Sequence, residues 1–497
     1  MDTGCDINKE ADSKPVKERE EMKGKKKYGV TIAAGSGVLI AFVLVMAATA
    51  SLVSGCGPTS SVKAGMSEKV ITPPVGSPMA GYRRQGVSTG VHDDLFARSL
   101  VIEDGSGTTV AFITLGIINL SENYMDSIRK AVSEQTGIPV KNIVVSCTHT
   151  HSGPALGGCS DEYKKLLVDN SVACAVEAWN NRKPSFVGTG STVCLDLGMN
   201  DRRMEYGGLH PDPEVGIIKV QDLKGKLTGV AFVYGCHPST LDLHNLEFTE
   251  DWPYYAIKGI KEQIGEDVWV AYYQSAQGDV KVGYTAELSA VGADMGIRNW
   301  WFAEHKGSQM TWPVLEALDE IETSGALTVD ATSAYYDFPL RDSYPVTAAE
   351  AERLDREAKA KLAEMEKKAD SIGKRVLDRY RVDVFLSGLT LGCARWVESH
   401  PNPKPIPMLL QAVRIGDTVI ATFPVEVFAE IGLAVKERSP VEKTFIIGLA
   451  SGHGGYMPTA DEYLEGGYSA VMTRYSPKCE QVLIESSLEL IGKVSDQ

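Results

Sequence analysis

The sequence has few of the features that mark particular classes of protein. Its 65 acidic residues outnumber its 50 basic residues, and the formal net charge of −15 argues against a protein that binds duplex nucleic acid. It contains no Cys-x-x-Cys pair, which argues against a cysteine-based zinc site. No segment repeats with a period of roughly 20 to 50 residues, which argues against a solenoid or a propeller. What is present, 497 residues that are 43% hydrophobic with 48 glycines, is typical of a globular α/β protein with a sizeable core.

Cysteine is also too sparse for a disulfide scaffold at this length. Nine cysteines are present, and two of them, Cys5 and Cys56, precede the region that we expect to fold. The odd number that remains leaves at least one thiol free or intermolecular, and the sequence does not define any pairing. The remaining cysteines are Cys147, Cys159, Cys174, Cys194, Cys236, Cys393 and Cys479.

One long uncharged run, Val30 to Val53, follows a lysine-rich segment at 23–27, as expected for a segment that inserts into a membrane with its positive flank inside. The sequence Val53-Ser54-Gly55-Cys56 resembles the lipobox of bacterial lipoproteins, which implies cleavage before Cys56 and its lipidation. An uncleaved signal anchor is the alternative, because the run is long enough to span a bilayer. Both readings predict an extracytoplasmic, membrane-anchored protein. We expect a signal segment over 1–55, a flexible tether over 56–66 and one folded domain over 67–497.

Two passages alternate apolar runs with helical periodicity and predict β-α-β units. The first has an apolar run over 110–118, a helical stretch over 122–135 and a strand at 143–145. The second has strands at 230–234 and 268–273 around a helical stretch over 254–264, and β character returns over 409–423 before a helix to about residue 436. We therefore predict an α/β fold of mixed β-sheets flanked by helices. Its metal site is expected at strand ends, where open α/β sheets place their sites.

The clearest helix begins at Thr347, where Thr347-Ala348-Ala349-Glu350 forms a capping box. Apolar residues then recur every three or four positions, and the opposite face is charged. This pattern predicts a helix whose apolar stripe packs in the core and takes no part in chemistry. The stripe consists of Leu354, Ala358, Leu362, Met365, Ala369, Ile372 and Val376.

The most informative motif is the run Cys-Thr-His-Thr-His-Ser-Gly-Pro at 147–154. Side chains two apart on a strand point to the same side, so His149 and His151 are predicted to face one site at the end of the strand at 143–145. Gly153 and Pro154 stop the strand there. Imidazole nitrogen is a good zinc ligand at neutral pH, which favours a metal site. The alternative is that both histidines only cap the strand through hydrogen bonds.

Taken in order, five motifs resemble those of the neutral (non-lysosomal) ceramidase family. The resemblance extends from about Ser67 to Lys493 and is closest to the shorter bacterial members, which lack the C-terminal immunoglobulin-like domain of the animal enzymes. It implies a single ceramidase-like zinc hydrolase domain over 67–497. The motifs are Thr148-His149-Thr150-His151-Ser152-Gly153-Pro154, Cys236-His237-Pro238, Gln277-Gly278-Asp279-Val280, Phe423-Pro424-Val425-Glu426 and Gly455-Tyr456-Met457-Pro458-Thr459.

This resemblance implies one catalytic zinc ion per chain, held by His149, His237, Glu426 and Tyr456. Two neutral imidazoles and a carboxylate are a common catalytic zinc set that leaves a position open for water, and a phenolic oxygen is an unusual addition. Taken singly, His237 is typical of a structural histidine, Glu426 of a carboxylate at a helix N-terminus and Tyr456 of a core residue. Only the joint pattern indicates a metal site.

The resemblance also implies residues that handle protons and charge. His151 matches the family histidine that supports the metal ligands or the transition state, and Tyr468 matches the tyrosine that contacts the oxyanion. The stretch 199–203 resembles the family's Asn-Arg element, but the intervening Asp201 leaves open whether Arg202 or Arg203 is the match. A solvated salt bridge is the alternative for this arginine pair.

One residue departs from the family pattern. The ceramidases carry a serine just after their Gly-Asp/Asn-x element, proposed as a nucleophile or a substrate-orienting hydroxyl, and Lys281 stands there in this chain. A serine nucleophile at that position is therefore excluded, but a zinc-bound hydroxide can still attack an amide or ester directly. Lys281 either binds an anionic or differently shaped substrate or is only a surface lysine.

The function implied by the resemblance is zinc-dependent hydrolysis of an amide bond in a lipid-like N-acyl substrate, with ceramide as the family default. The expected partners are that substrate and, through the anchor, a membrane, and no nucleic acid is expected. Two alternatives remain open. One is a metal-dependent ester or phosphoester hydrolase of the same fold, and the other is a lipoprotein that binds a lipid without turning it over.

Overall fold

The computed structural model describes residues 59–202 and 208–495. The predicted signal segment over 1–55, the predicted lipidation site Cys56 and the candidate Arg203 lie outside the described residues. Within the described ranges, no helix combines the length and the apolar character needed to cross a membrane.

The strands of the described residues are β1 (Lys63–Val70), β2 (Gly90–Val91), β3 (Phe96–Glu103), β4 (Thr109–Leu115), β5 (Ile143–Cys147), β6 (Lys183–Val193), β7 (Met199–Asn200), β8 (Glu214–Asp222), β9 (Leu227–Tyr234), β10 (Glu247–Phe248), β11 (Trp269–Gln274), β12 (Val280–Lys281), β13 (Val329–Phe338), β14 (Ile406–Ile415), β15 (Thr418–Phe423), β16 (Glu426–Val427), β17 (Lys443–Gly448) and β18 (Tyr456–Met457). The helices are α1 (Glu122–Thr136), α2 (Asp161–Asn180), α3 (Trp252–Ile264), α4 (Ala286–Ala290), α5 (Trp300–Leu318), α6 (Ala348–Glu366), α7 (Ala369–Ile372), α8 (Lys374–Ser399), α9 (Ala429–Arg438), α10 (Glu462–Glu465), α11 (Tyr468–Met472) and α12 (Cys479–Ser495).

Two mixed sheets form the centre of the fold. The larger has the strand order β11-β9-β8-β6-β1-β3-β4-β5, with parallel pairs at its two ends and antiparallel pairs between them. The smaller has the order β13-β14-β15-β17, in which only β15 and β17 are parallel. The parallel pairs β4–β5 and β9–β11 are joined through α1 and α3, which confirms both predicted β-α-β units. The predicted fold class is confirmed.

Side-chain alternation along the strands explains how the sheets are covered. In β4, Val110 and Phe112 pack towards the smaller sheet, whereas Ala111, Ile113 and Leu115 pack against α1 and α2. Helices α3 and α5 cover the rest of that outer face, and α9 and α12 cover the far side of the smaller sheet. The result is four layers in the order helices, large sheet, small sheet, helices, with apolar side chains filling each interface.

The helix predicted from Thr347 begins where expected, because the Thr347 hydroxyl accepts a hydrogen bond from Glu350 N at 3.2 Å. It does not continue as one helix, since the chain breaks into α6, α7 and α8. The predicted core packing of the stripe is wrong for Leu354 and Val376, which are 37% and 41% exposed. The reason is that α6 to α8 are inserted between the paired strands β13 and β14, and α6 packs mainly on α8.

The predicted boundary at residue 66, between the flexible tether and the folded domain, is also wrong. Residues 63–66 lie in β1, which pairs with β3 over its whole length in the large sheet. Even Ser60 is held in place, because its hydroxyl donates to Ser185 O at 2.6 Å. The folded domain therefore begins several residues before Ser67, since β1 supplies one of the central strands.

The cysteines of the described residues form no disulfide. All seven are buried with free thiols. Burial raises the pKa of Cys147 and Cys236, which precede the two histidine motifs, so both thiols stay protonated at neutral pH. They act as small core residues.

Candidate metal centre

The histidine motif lies beyond the end of a strand. β5 ends at Cys147, and His149 has φ of +71°, a left-handed conformation that is uncommon outside glycine and is often found at functional sites. The predicted strand alternation is therefore wrong for these two residues, although the rings of His149 and His151 do lie 5.1 Å apart. Backbone hydrogen bonds fix the loop, from His149 N to Ile117 O and from His151 N to Pro238 O, both at 3.0 Å.

A buried glutamine joins the two histidine-bearing loops. Gln274, at the end of β11, donates from Nε2 to Thr148 O at 3.3 Å and to Cys236 O at 3.0 Å. Its Oε1 accepts from Cys236 N at 3.1 Å. Because β11 pairs with β9, and His237 follows β9, the rings of His149 and His237 come to lie 4.8 Å apart.

Both of these rings are oriented through Nδ1. His149 Nδ1 lies 2.8 Å from Ile118 O, and His237 Nδ1 lies 3.0 Å from Val280 O. A carbonyl oxygen can only accept, so both Nδ1 atoms carry the proton and both Nε2 atoms present a lone pair. This arrangement is typical of metal-binding histidines. Burial and the neighbouring Lys281 lower the pKa of His237 to about 3, which keeps the ring neutral at physiological pH.

Glu426 completes a compact set of donor atoms. Its Oε2 lies 3.2 Å from His149 Nε2 and 3.4 Å from His237 Nε2. Ligands about 2.0 to 2.1 Å from a tetrahedral zinc ion lie about 3.3 Å from one another, so this spacing fits a shared ion. Among the described residues, His149 Nε2 and Glu426 Oε2 are buried with no hydrogen-bond partner. Burial alone would raise the pKa of Glu426, but the adjacent imidazoles hold it well below its usual value.

His151 is a second candidate for the third ligand. The ligand atoms of His149, His151 and His237 all lie within 4.8 Å of one another, so the three residues could hold a metal ion. Both ring nitrogens of His151 are buried, and neither has a hydrogen-bond partner in the described part of the chain. Burial and the neighbouring histidines lower the pKa of His151 well below its usual value. A neutral ring of this kind can bind a metal or accept a proton.

Tyr456 reaches the site through the short parallel pair β16–β18, in which it lies directly opposite Glu426. Strand β16 packs closely on Gly278, whose N–H donates to Val427 O at 2.8 Å. A Cβ at Gly278 would come within 2.6 Å of Glu426 O, so only glycine allows this approach. Burial and the nearby carboxylate raise the pKa of Tyr456 well above 10, so the phenol holds its proton.

Tyr468 lies beside Tyr456, with ring centroids 5.5 Å apart. Burial and the nearby Glu426 raise the pKa of Tyr468 to about 12. Its hydroxyl therefore stays protonated and can donate a hydrogen bond at neutral pH. Its backbone N–H donates to Glu287 Oε1 at 2.9 Å, which anchors the start of α11.

Arg202 contacts the loop that carries Tyr468. Its guanidinium pairs with Glu287 at 2.8 Å and with Glu462, and it donates to Gly466 O at 2.8 Å. Gly467 has φ of +94°, and any Cβ there would collide with the Arg202 guanidinium. These contacts favour a positioning role for Arg202, and its predicted contact with the oxyanion stays a prediction.

Residues 63–281 match the family described as neutral/alkaline non-lysosomal ceramidase, N-terminal. This match confirms the predicted resemblance to that family over these residues. The matched segment carries His149, His151 and His237, and it ends at Lys281, before Glu426 and the two tyrosines.

Two neutral ceramidases illustrate the sequence similarity. The neutral ceramidase of Drosophila pseudoobscura pseudoobscura is 24% identical over 228 residues, which is 40% of this chain and 32% of that protein. Neutral ceramidase 3 of Arabidopsis thaliana is 25% identical over 143 residues, which is 26% of this chain and 19% of that protein. The chain thus aligns with a third or less of the length of these relatives.

The fold is similar over a longer stretch. The crystal structure of neutral ceramidase from Pseudomonas aeruginosa aligns with a TM-score of 0.67 at 17% identity, covering 88% of this chain and 75% of that one. A structure described as ceramidase complexed with C2 aligns with the same TM-score at 16% identity, covering 88% of this chain and 76% of that one. At this identity the likeness shows the fold. It extends the similarity beyond the residues of the family match.

Lys281, the last residue of the segment that matches the ceramidase family, is not a surface residue. It is 4% exposed, and its Nζ lies 2.5 Å from His237 Nε2. Burial lowers the pKa of Lys281, and Asp201 and Glu426 oppose that shift. Burial also raises the pKa of Asp201 to about 7. The prediction of a merely solvated lysine is therefore wrong, because β12 carries Lys281 directly into the site.

Sequence reasoning missed two residues that support the candidate ligands. His453 Nε2 lies 3.2 Å from Glu426 Oε1, the carboxylate oxygen that does not face His149. A signal existed, because His453 precedes Tyr456 in the same glycine-rich segment. Gln274 gave no such signal, since its role depends on two loops that are distant in the chain.

Two cavities open on the candidate metal centre. The larger, of 590 Å³, reaches His149, His151, Glu426 and Tyr456 and has apolar walls. Those walls include Ile118, Leu340, Ile406, Met472 and Tyr475. The smaller, of 50 Å³, lies on the side of Lys281 and Tyr284.

Proposed function

We propose that this chain is a zinc-dependent hydrolase that cleaves the amide bond of a lipid-like N-acyl substrate. The observation that carries the proposal is the convergence of two oriented imidazole nitrogens and one carboxylate oxygen at 3.2 and 3.4 Å. The match to the neutral ceramidase family supports an amide as the bond class and ceramide as the default substrate. The apolar walls of the 590 Å³ cavity support a long acyl chain.

The donor set fits zinc better than magnesium or calcium, because those ions prefer sites made only of oxygen ligands. His149, His237 and Glu426 would hold the ion, with Tyr456 or His151 as a further ligand. When bound, zinc would polarise the substrate carbonyl and lower the pKa of a water molecule to about 7.

His151 is suited to move protons. Amide hydrolysis requires water to lose a proton as its oxygen bonds to the carbonyl carbon, and the amine to gain one as the C–N bond breaks. A neutral imidazole whose nitrogens make no hydrogen bond to the described residues can accept the first proton and return it to the leaving nitrogen. Glu426 is the other candidate for this task.

Tyr468 is suited to stabilise the oxyanion, because its protonated hydroxyl can donate to a carbonyl oxygen that gains charge. Arg202 contributes by holding Glu287 and Gly466, the groups that position the Tyr468 loop.

Elemental analysis of protein purified without chelator tests the metal. We expect about one zinc per chain, and a His149→Ala, His237→Ala double variant should lose it. A stoichiometry below about 0.2 that added zinc does not restore, or unchanged zinc in the double variant, would contradict the proposal.

A substrate panel tests the reaction. N-acyl sphingoid, N-acyl amino acid, carboxylic ester and phosphoester substrates should be offered at equal chain length, and amide turnover that requires zinc is the expected result. Turnover of phosphoesters without amides would favour an ester or phosphoester hydrolase of the same fold.

A second candidate function is lipid binding without turnover. The contact between Lys281 Nζ and His237 Nε2 favours it, because an amine at this nitrogen competes with a metal. Lipid binding without turnover of any substrate class, whatever the zinc occupancy, would establish this alternative.

A further inference from the structure

The two cavities at the candidate metal centre differ in size and in character. They share Gly81, His151, Tyr456 and Tyr468, so a substrate amide at these residues would extend into both. The larger holds 590 Å³ and the smaller only 50 Å³, which is room for about three or four water molecules. A substrate therefore has space for one long chain on one side of the amide and for a group of a few atoms on the other.

The walls of the small cavity carry polar side chains, of which Tyr284 already donates its hydroxyl proton to Ser239 Oγ at 2.7 Å. Lys281, Tyr82, Ser239 and Tyr284 line it. The Tyr82 hydroxyl accepts from Arg298 Nη2 at 2.6 Å, and its own nearest acceptor, Ser239 O, is 3.5 Å away. At that distance the Tyr82 proton is held weakly and is available to a ligand.

Behind these walls lie two half-buried arginines, Arg84 and Arg298, whose guanidinium groups donate to backbone carbonyls. Arg84 donates to His151 O at 2.8 Å and to Asn245 O at 2.7 Å, and Arg298 donates to Ser239 O at 3.3 Å. Within the described ranges, no carboxylate oxygen lies within 4.0 Å of either guanidinium. Neutral carbonyls do not neutralise these charges, so both guanidinium groups contribute a positive field at the cavity.

Five carboxylates oppose the charges of Lys281 and the two arginines, and none of them lines the small cavity: Asp201, Asp242, Asp251, Asp279 and Glu426. Asp251 accepts from Thr240 N at 3.0 Å and Asp242 accepts from His244 N at 2.8 Å. Asp201, which opposes the charge of Lys281, accepts from Ala286 N at 3.1 Å. These carboxylates reduce the positive field but do not fill the cavity.

We propose that the small cavity binds a carboxylate on the amine half of the substrate, which makes N-acyl amino acids with one long acyl chain the preferred substrate class. The proposal rests on the proposed amide hydrolysis. A carboxylate can accept from Lys281 Nζ and Tyr82 OH, and such charge-assisted hydrogen bonds are stronger than those to a neutral hydroxyl. Lys281 Nζ donates whether or not it is charged. The 50 Å³ beside Ala286 and Ala290 is too small to enclose a second long chain.

The test compares N-dodecanoylglycine with N-dodecanoylethanolamine, which differ only in a carboxylate against a hydroxymethyl group. Both kcat/KM with the zinc-loaded full chain and equilibrium Kd by calorimetry are measured. We expect the glycine compound to be favoured about tenfold or more in each, as one charged hydrogen bond would give. N-dodecanoyltaurine tests whether a sulfonate is accepted equally, and ceramide tests the second chain.

Three variants locate the effect. Lys281→Met should bring the glycine-to-ethanolamine ratio of kcat/KM and of affinity towards one. Ser289→Asp should do the same, because it places a carboxylate beside Arg298. Arg298 Nη1 lies 3.1 Å from Ser289 Oγ. Lys306→Met is the matched control, because Lys306 is equally buried but donates to Asp196 O and Leu197 O at 2.8 and 2.9 Å, away from the cavity. Its ratio should equal that of the wild type. Thermal melting checks that each variant is folded.

The outcomes separate this proposal from the one on which it rests. Equal kcat/KM and Kd for the two compounds, or a ratio that survives both Lys281→Met and Ser289→Asp, overturns the carboxylate site while amide hydrolysis stands. If no N-acyl compound is cleaved, amide hydrolysis fails, and the two Kd values still decide whether the cavity selects a carboxylate. A kcat/KM for ceramide that exceeds the kcat/KM for N-dodecanoylglycine also overturns the carboxylate site.

Discussion

Arg202→Met should destabilise the protein by about 3 kcal/mol, because Arg202 neutralises two carboxylates that water does not reach. The side chains of Glu462 and Glu287 are 1% and 9% exposed. Breaking one buried ion pair by removing a single partner costs about 3 to 5 kcal/mol. We expect the lower end of that range, since Glu287 keeps its hydrogen bond from Tyr468 N.

Urea unfolding at neutral pH measures this change, with the midpoint and slope followed by tryptophan fluorescence. A triple variant, Arg202→Met with Glu287→Gln and Glu462→Gln, should recover most of the loss because it also removes the buried charges. Arg353→Met is the matched control. Arg353 also pairs with two glutamates, Glu350 and Glu357, but its side chain is 48% exposed, so its removal should leave the urea midpoint nearly unchanged.

The same variants decide between two roles for Arg202. If it positions the Tyr468 loop, turnover should fall with stability and recover partly in the triple variant. If instead Arg202→Met leaves stability within about 0.5 kcal/mol and lowers kcat a hundredfold or more, with no recovery in the triple variant, Arg202 contacts the oxyanion directly and the reasoning from its ion pairs is refuted.

Two further predictions concern pH and export. Burial lowers the pKa of His210 from 6.5 to about 4. Between these two pH values the unfolded chain binds a proton on His210 that the folded chain does not bind. The free energy of unfolding therefore falls as the pH falls from 6.5 to 4. Between pH 7.5 and 4.5, a His210→Gln variant should lose about 2.5 kcal/mol less stability than the wild type in urea titrations, and equal losses would contradict this. We also propose that Cys56 is lipidated, so Cys56→Ala should block processing. If the intact mass shows that wild-type protein extracted from membranes retains residues 1–55, the segment is instead an uncleaved signal anchor.

Local patterns in the sequence determined most of the elements around the site. Hydrophobic alternation and helical periodicity depend on neighbours within a few residues, which is why both β-α-β units and the Thr347 cap could be predicted. The donor residue types, two histidines, a glutamate and two tyrosines, were also evident from the sequence motifs alone. Local patterns cannot show burial, however, and the apolar stripe of α6 to α8 was predicted to be core although Leu354 and Val376 are exposed.

Only the tertiary structure decided which of these groups meet. His149 and Glu426 come within 3.2 Å because β5, β9 and β15 end near one another, Gln274 joins two loops, and Gly278 admits β16. Each of these contacts joins segments far apart in the chain, so no sequence spacing encodes it. For the same reason the sequence did not decide whether Lys281 lies on the surface or in the site. The pairing of β12 with β7 buries Lys281 against His237.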